Sequence, residues 1–277
     1  MRGLLTKSIS LVPWQIRGLI KKMPLMAPLQ RRLLARFLEG HEFIHMVDAG
    51  PARGLRYPIT LPQDKGIWTG TYELELATGI AEAVRPGDIC LDVGGWRGFF
   101  SGVMALAGAS NVFVFEPLPT NALQIRRMIE LNSKLPIELI EVAIGDQINS
   151  SKLRVMPETS MAKLSTSSFQ SDHREGDLIE IRVETLDHLR TTGLFPHADV
   201  VKIDVEGAEV MALRGADQLL RNDRPRLFIE IHSRSLAREC SQILLDYGYL
   251  VNVLETGAPP DFVSEPEVCH FKASREV

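Results

Sequence analysis

Residues 88–117, DICLDVGGWRGFFSGVMALAGASNVFVFEP, decide the fold class. The apolar run ending at Val93 reads as a strand, the glycines at 94, 95 and 98 as a turn, residues 98–108 as a helix, and residues 111–116 as a second strand. Strand, glycine turn, helix, strand is the opening unit of a parallel sheet, since parallel strands need a crossover and a helix is the usual one. In such a sheet the turn after the first strand aims the unpaired amides of the helix start at a ligand.

The composition of that turn narrows the ligand. A dinucleotide would rest its pyrophosphate there, and Asp92 at the strand end would repel it. S-adenosylmethionine carries an ammonium, a sulfonium and no phosphate, so the same acid attracts it. The spacing agrees: Asp92-x-Gly94-x-x-x-Gly98 is not the G-x-G-x-x-G order of dinucleotide sites. Gly94, with Gly95 beside it, lets the backbone bend close to the ligand, and Gly98 lets the following helix approach. Trp96 either stacks on the ligand, a cation-π contact with the sulfonium included, or packs beneath the turn. Glu116, fixed by Pro117, stands where a carboxylate accepts hydrogen bonds from both ribose hydroxyls. Asp146, in VAIGD, is either an adenine contact or a turn residue after Gly145.

Outward from this unit the pattern repeats. TYELELATGIAEAV reads as a helix stopped at Arg85-Pro86-Gly87, residues 119–132 as a helix and residues 137–144 as a strand. A later half gives ADVVKIDV, PRLFIEI and YLVNVLE as strands, alternating with AEVMALRGADQLL and SLARECSQILLDYG as helices. The expectation is one α/β domain over residues 65–277, a doubly wound, mostly parallel sheet with helices on both faces. Between the halves, residues 147–184 look different: SKLRVMP and DLIEIRVET read as extended segments around a polar stretch, a hairpin-like excursion with a mobile tip.

Composition sets the remaining limits. Charged residues make up 24% of the 277, and no apolar run approaches the roughly 18 residues of a membrane span. Cys90, Cys240 and Cys269 lack C-x-x-C spacing, which points to a reducing, cytoplasmic setting without a zinc site. The net charge of -4 hides an asymmetry: residues 1–45 carry an excess of six positive charges, leaving the rest at -10. Residues 1–64 read as a basic, partly helical extension, in which PLQRRLLARFLEG sets leucines and Phe37 opposite arginines. That helix could lie on an anionic membrane surface, making the protein peripheral to the membrane, or pack on its own domain or on a second subunit of a homo-oligomer. The acidic main domain argues against a nucleic-acid partner.

Methyl transfer from a sulfonium needs positioning and removal of the acceptor proton. Lys202 and Asp204 share one side of VVKIDV, and a charged pair in a buried strand is costly unless it faces a pocket. Glu230 and His232, two apart in FIEIH, share a side as well. Asp204, Glu230 and a neutral His232 would then converge on the acceptor hydroxyl, with Lys202 orienting a carboxylate. In a variant, Asp204, Glu206, Glu230 and His232 hold a divalent ion. Glu206 reads equally as ligand-facing or as a helix cap, and Glu209 as a cap. The rival classes are an NAD-dependent oxidoreductase and a non-catalytic binding protein that keeps the fold.

LDVGGWRGFFS, VFVFEPLPTN, VAIGD, VETLDHL, VVKIDVEGAEVMALRGA and RLFIEIH together resemble the FkbM family of S-adenosylmethionine-dependent methyltransferases, over roughly residues 65–250. The most specific element is KIDVEGAE with TLD upstream. The resemblance implies a class I (Rossmann-like) methyltransferase fold and methylation of a hydroxyl on a sugar, lipid or secondary metabolite, so the acceptor would be a small molecule or glycolipid. The sequence departs from the family at GGWRG, where the usual pattern is G-A-N-x-G.

Overall fold

The computed structural model describes residues 42–155, 162–164, 178–262 and 268–275. The helix read at residues 29–38 and the tip of the excursion lie outside the described residues.

The centre is a seven-stranded sheet. In spatial order it runs β12 (Leu250–Val253), β13 (Cys269–Ser274), β11 (Arg226–Ile231), β10 (Val200–Ile203), β3 (Ile89–Val93), β4 (Asn111–Phe115) and β5 (Ile137–Ile140). From β11 to β5 every pair is parallel, and β13 alone runs antiparallel, wedged between β11 and β12. β3 is buried at every position because it has strands on both sides and helices on both faces. Leu91 and Val93 point into the cluster that includes Val201, Ile203, Ile229 and Phe271, whereas Cys90 points into the opposite one with Val112, Val200 and Phe228.

On that second face sit α2 (Leu74–Ala83) and α3 (Phe99–Ala107). Phe99 through Ala105 are all buried, and all but Ser101 are apolar or glycine, as a helix sandwiched between layers requires. Gly98 caps its start at φ 79, and a Cβ there would lie 2.5 Å from Met128 Cε of α4 (Pro119–Leu131). An antiparallel hairpin of β1 (Glu42–Met46) and β2 (Arg56–Thr60) covers the outside, with Leu55, Tyr57 and Ile59 in the same cluster as Leu76, Ile80 and Val103. Next come α1 (Lys65–Thr69) and a turn at Tyr72–Glu73. The helix expected from residue 71 starts at Leu74, because Glu73 takes a left-handed conformation, φ 38, at its N-cap.

Two differences from the sequence reading concern strands. The segment 137–144 is not one strand: after β5 the chain turns at the exposed Glu141 and enters β6 (Ala143–Ile144), which belongs to a different sheet. That sheet also holds β7 (Asn149–Val155), β8 (Ala162–Leu164) and β9 (Leu178–Glu184), with β7 antiparallel to β9. β13 was unread, although Cys269, Phe271 and Ala273 point inward at period two. The remaining helices, α5 (Leu186–Thr191), α6 (Glu209–Arg214), α7 (Asp217–Asn222) and α8 (Arg234–Asp246), cover the first face. Among the described residues no helix is long and apolar enough to cross a membrane.

Candidate active site

A cleft of ≈ 180 Å³ opens at the carboxyl ends of β3, β4, β10 and β11, where a doubly wound sheet leaves room for a ligand. Its floor is the glycine turn. The N–H groups of Gly94 and Gly95 both donate to Phe115 O, at 3.0 and 3.1 Å, tying the turn to the end of β4. Gly94 has φ 79, and a Cβ on it would lie 1.7 Å from Asp204 O, so only glycine lets β3 and β10 end this close together.

Glu116 joins the turn to the next loop. Its Oε2 accepts the Trp96 N–H and its Oε1 the Leu118 N–H, both at 2.9 Å. Burial pushes its carboxyl up to about 7, against the opposing pull of those two N–H groups. The Asn121 side chain also bonds this carboxylate, so of its lone pairs about one is left for a further donor. Trp96 takes φ 48, an uncommon conformation for a bulky residue. Its ring stacks on Tyr72 with centroids 5.7 Å apart, and the Arg97 guanidinium carbon lies 5.2 Å from its centroid. Trp96 is among the residues that line the cleft.

The other wall is charged. Glu73, Lys202, Asp204, Glu206 and Glu230 line it. Lys202 is the register partner of Asp92 across the β3–β10 ladder. Its Nζ donates to Gly94 O at 2.9 Å and to Asp204 Oδ2 at 3.2 Å, and lies 3.6 Å from Asp92 Oδ1. Burial alone would lower its pKa, but Asp204, Asp92 and Glu230 outweigh that and raise it. Asp204 stands above the ordinary carboxyl range because burial outweighs the stabilising Lys202 charge.

The sequence-derived residues therefore divide. Gly94, Gly95, Trp96, Glu116, Pro117, Lys202, Asp204 and Glu230 share the cleft. Asp92 does not reach it: its side chain is fully buried, accepting from Ser101 Oγ at 2.5 Å and paired with Lys202. Its charge is spent inside the protein, so the attraction for a cation falls to the acids of the far wall. Asp146 is part-exposed on the chain after β6, away from the cleft lining, and Gly98 lies under the turn. His232 sits behind the cleft. Its Nδ1 pairs with the buried Glu209 Oε1 at 2.9 Å, and its Nε2 lies 3.8, 3.5 and 3.6 Å from Asp204, Glu206 and Glu230. Burial opposes its charge, yet Glu209, Asp204 and Glu206 outweigh it and hold its pKa up to about 9, above the ordinary value on which a neutral base was expected. Glu209, expected as a cap, accepts the Gly207 N–H at 2.9 Å and also orients this ring.

Three contributors went unread: Tyr72 and Glu73, which precede α2, and His270 on β13, which reaches Glu230. A carboxylate or imidazole where period or strand pairing breaks is the signal that could have found them. Two sets of ligand atoms, Asp204, Glu230, His232 and Glu73, Glu230, His270, each lie within 4.8 Å of one another. Imidazolium and ammonium charges already offset much of their acidity.

These residues fit a cationic nucleoside: a glycine floor without Cβ atoms, a buried carboxylate at the end of β4, and an acidic wall whose lysine is engaged by Asp92 and Asp204. A sheet in this order, with its antiparallel strand inserted between β11 and β12 and a cleft of this chemistry, defines a class I methyltransferase. Residues 92–251 match the Methyltransferase FkbM domain, and the chain belongs to that family. The oxidoreductase and non-catalytic readings are not favoured by that membership. The chain is 24% identical over 184 residues to the hexuronic acid methyltransferase AglP of Haloferax volcanii, covering 66% of this chain and 72% of that protein. Among solved structures it is similar to the methyltransferase FkbM of Methylobacillus flagellatus (TM-score 0.44, 16% identity, 76% of this chain and 55% of that one). It is also similar to Aeropyrum pernix fibrillarin with natively bound S-adenosyl-L-methionine (TM-score 0.42, 17% identity, 69% and 68%).

Proposed function

We propose that this chain transfers a methyl group from S-adenosylmethionine to a hydroxyl oxygen of a sugar. The observation that carries the reading is that Asp204 and Glu230, at the ends of neighbouring parallel strands, share one cleft with the Gly94 turn and Glu116. In this reading Glu116 receives the ribose hydroxyls and the Gly94–Gly95 floor receives the methionine part. Bound there, the cofactor supplies a methyl group on a sulfonium, whose departure leaves a neutral thioether. As the acceptor oxygen takes the methyl group from the sulfonium, Glu230 would take the proton that this oxygen gives up. Asp204, held by Lys202, orients the acceptor. Leu153 of β7 borders the cleft, so the excursion contributes to the acceptor wall.

The name of the relative from Haloferax volcanii makes a hexuronic acid the first acceptor to try. The test is incubation with methyl-labelled cofactor and two acceptors, methyl glucuronoside and methyl glucoside, followed by mass spectrometry of the product. Label on a hydroxyl oxygen of either, lost in Glu230→Gln with cofactor binding intact, supports the reading. Tight cofactor binding with no label on either sugar overturns it.

A further inference from the structure

An ammonium group laid on the glycine floor needs an acceptor, and the two that the end of β3 offers first are engaged. Asp92 accepts from Ser101 and faces Lys202 inside the core, and Gly94 O accepts from Lys202 Nζ at 2.9 Å. Three acids of the far wall have a basic group of the protein beside them. Asp204 lies 3.2 Å from Lys202 Nζ, Glu206 3.5 Å from His232 Nε2, and Glu230 3.6 and 3.7 Å from the Nε2 atoms of His232 and His270. Glu73 is the fourth. The Tyr72 hydroxyl donates to its carboxyl, yet Oε2 is buried and no donor among the described residues reaches it. One oxygen of Glu73 lies within 4.8 Å of a His270 ring nitrogen, but that ring is already held between Glu230 and Glu255. A buried carboxylate oxygen without a donor is costly, and a ligand that brings one removes the cost.

We propose that Glu73 receives the ammonium group of S-adenosylmethionine. The inference rests on the reading of the cleft as the site of that cofactor. With the ribose at Glu116, beyond β4, and the methionine part on the Gly94–Gly95 floor, beyond β3, the far end of the molecule runs across the sheet towards β10 and β11. Glu73 meets it there from outside the sheet, among the charges of Glu230, Lys202 and Asp204. Its backbone is held in place: Glu73 O accepts the Ala77 N–H at 2.9 Å, and its left-handed φ of 38 opens α2. Tyr72 beside it stacks on Trp96 with centroids 5.7 Å apart and meets the Phe99 ring edge-on at 5.1 Å. One aromatic stack thus joins the glycine turn to the ammonium acceptor. The tryptophan that departs from G-A-N-x-G acquires a use, since it carries Tyr72 and through it Glu73. Glu73 lies before the residues 92–251 that match the family.

The test is calorimetry of the full chain with two ligands. One is S-adenosylhomocysteine, which carries the ammonium; the other is its des-amino analogue, which keeps the thioether and the carboxylate and lacks the nitrogen. The unaltered protein is expected to bind the first at least about tenfold more tightly, a comparison that needs no variant to fold. Glu73→Gln keeps the shape and removes the charge. It is expected to weaken the first ligand by about tenfold and leave the second no weaker, so that the preference is erased. A preference that survives in Glu73→Gln overturns the proposal. So does a loss shared equally by both ligands, or a lowered stoichiometry at unchanged affinity, either of which marks a merely structural residue. Equal affinities in the unaltered protein overturn the role of Glu73 and leave the cofactor reading standing. An unaltered protein that binds neither ligand overturns the cofactor reading, and the role of Glu73 with it.

Discussion

Replacing Lys202 by methionine removes the single ammonium that joins β3 to β10 inside the core. The side chain is 3% exposed, and it leaves behind Asp92, whose own exposure is 0%. Methionine fills most of the lysine stem, so the loss is electrostatic and the cavity contribution is small. The hydrogen bond to Gly94 O, from a charged donor, is worth about 1.5–3 kcal/mol. Removing one partner of a buried ion pair costs about 3–5 kcal/mol, because the other charge stays buried. These overlap, since one ammonium makes both contacts, so the expected loss at pH 7 is about 3–5 kcal/mol. The pH dependence has a definite sign. Asp204 already stands above its ordinary value when folded, and losing Lys202 raises it further. The folded variant then binds the proton more tightly than the unfolded chain, so the deficit shrinks as the pH falls. Urea unfolding at pH 7 and pH 5 measures both quantities, and Asp92→Asn in the Lys202→Met background is expected to recover part of the loss. A deficit below about 1 kcal/mol, or one that neither acid nor the second substitution relieves, refutes the reasoning.

Glu116 gives a second pH signature. Its folded value near 7 lies above the ordinary 4.5, so stability of the ligand-free protein falls by roughly 3 kcal/mol as pH rises between them. Glu116→Gln is expected to flatten that slope in denaturant titrations at several pH values, and to weaken cofactor binding by at least about tenfold in calorimetry. Gly94→Ala sets a Cβ against the Asp204 carbonyl and strains the positive φ; a loss of more than about 3 kcal/mol or insoluble expression is expected, and a melting point within a few degrees of the parent contradicts the close approach. At Trp96, held at φ 48, asparagine tolerates the left-handed region and valine does not, so Trp96→Asn is expected to be more stable than Trp96→Val by about 1 kcal/mol. Equal unfolding midpoints for these two variants would contradict that backbone assignment.

The sheet was legible in the sequence because its strands are short apolar runs bounded by glycine and proline, and two-sided burial leaves no other use for such runs. β13 and the break between β5 and β6 were not. An antiparallel strand that inserts between two earlier ones is fixed by non-local pairing with β11 and β12, and CHFKAS by itself is too short and polar to announce that. At the site, residue types at strand ends could be read, and Glu116, Asp204 and Glu230 do border one cleft. Which polar groups the protein consumes internally could not. Asp92 was assigned to a ligand, yet its register partner Lys202 claims it. A neutral His232 is what FIEIH alone suggests, and the buried Glu209 at the start of α6, with Asp204 and Glu206, is what raises its pKa. Periodicity tells which side of a strand a residue is on, but not which partner already waits there.

The place of β13 also bears on how the molecule is made. A nascent chain that has emerged as far as β12 has every parallel strand in hand, yet β11 keeps one bare edge and β12 has nothing to pair with. Closure waits for Cys269–Ser274 to thread between them. During synthesis the growing polypeptide thus carries an open flank suited to strand exchange with a neighbour. The same late segment brings His270, so the proposed catalytic wall is completed only when the sheet is sealed.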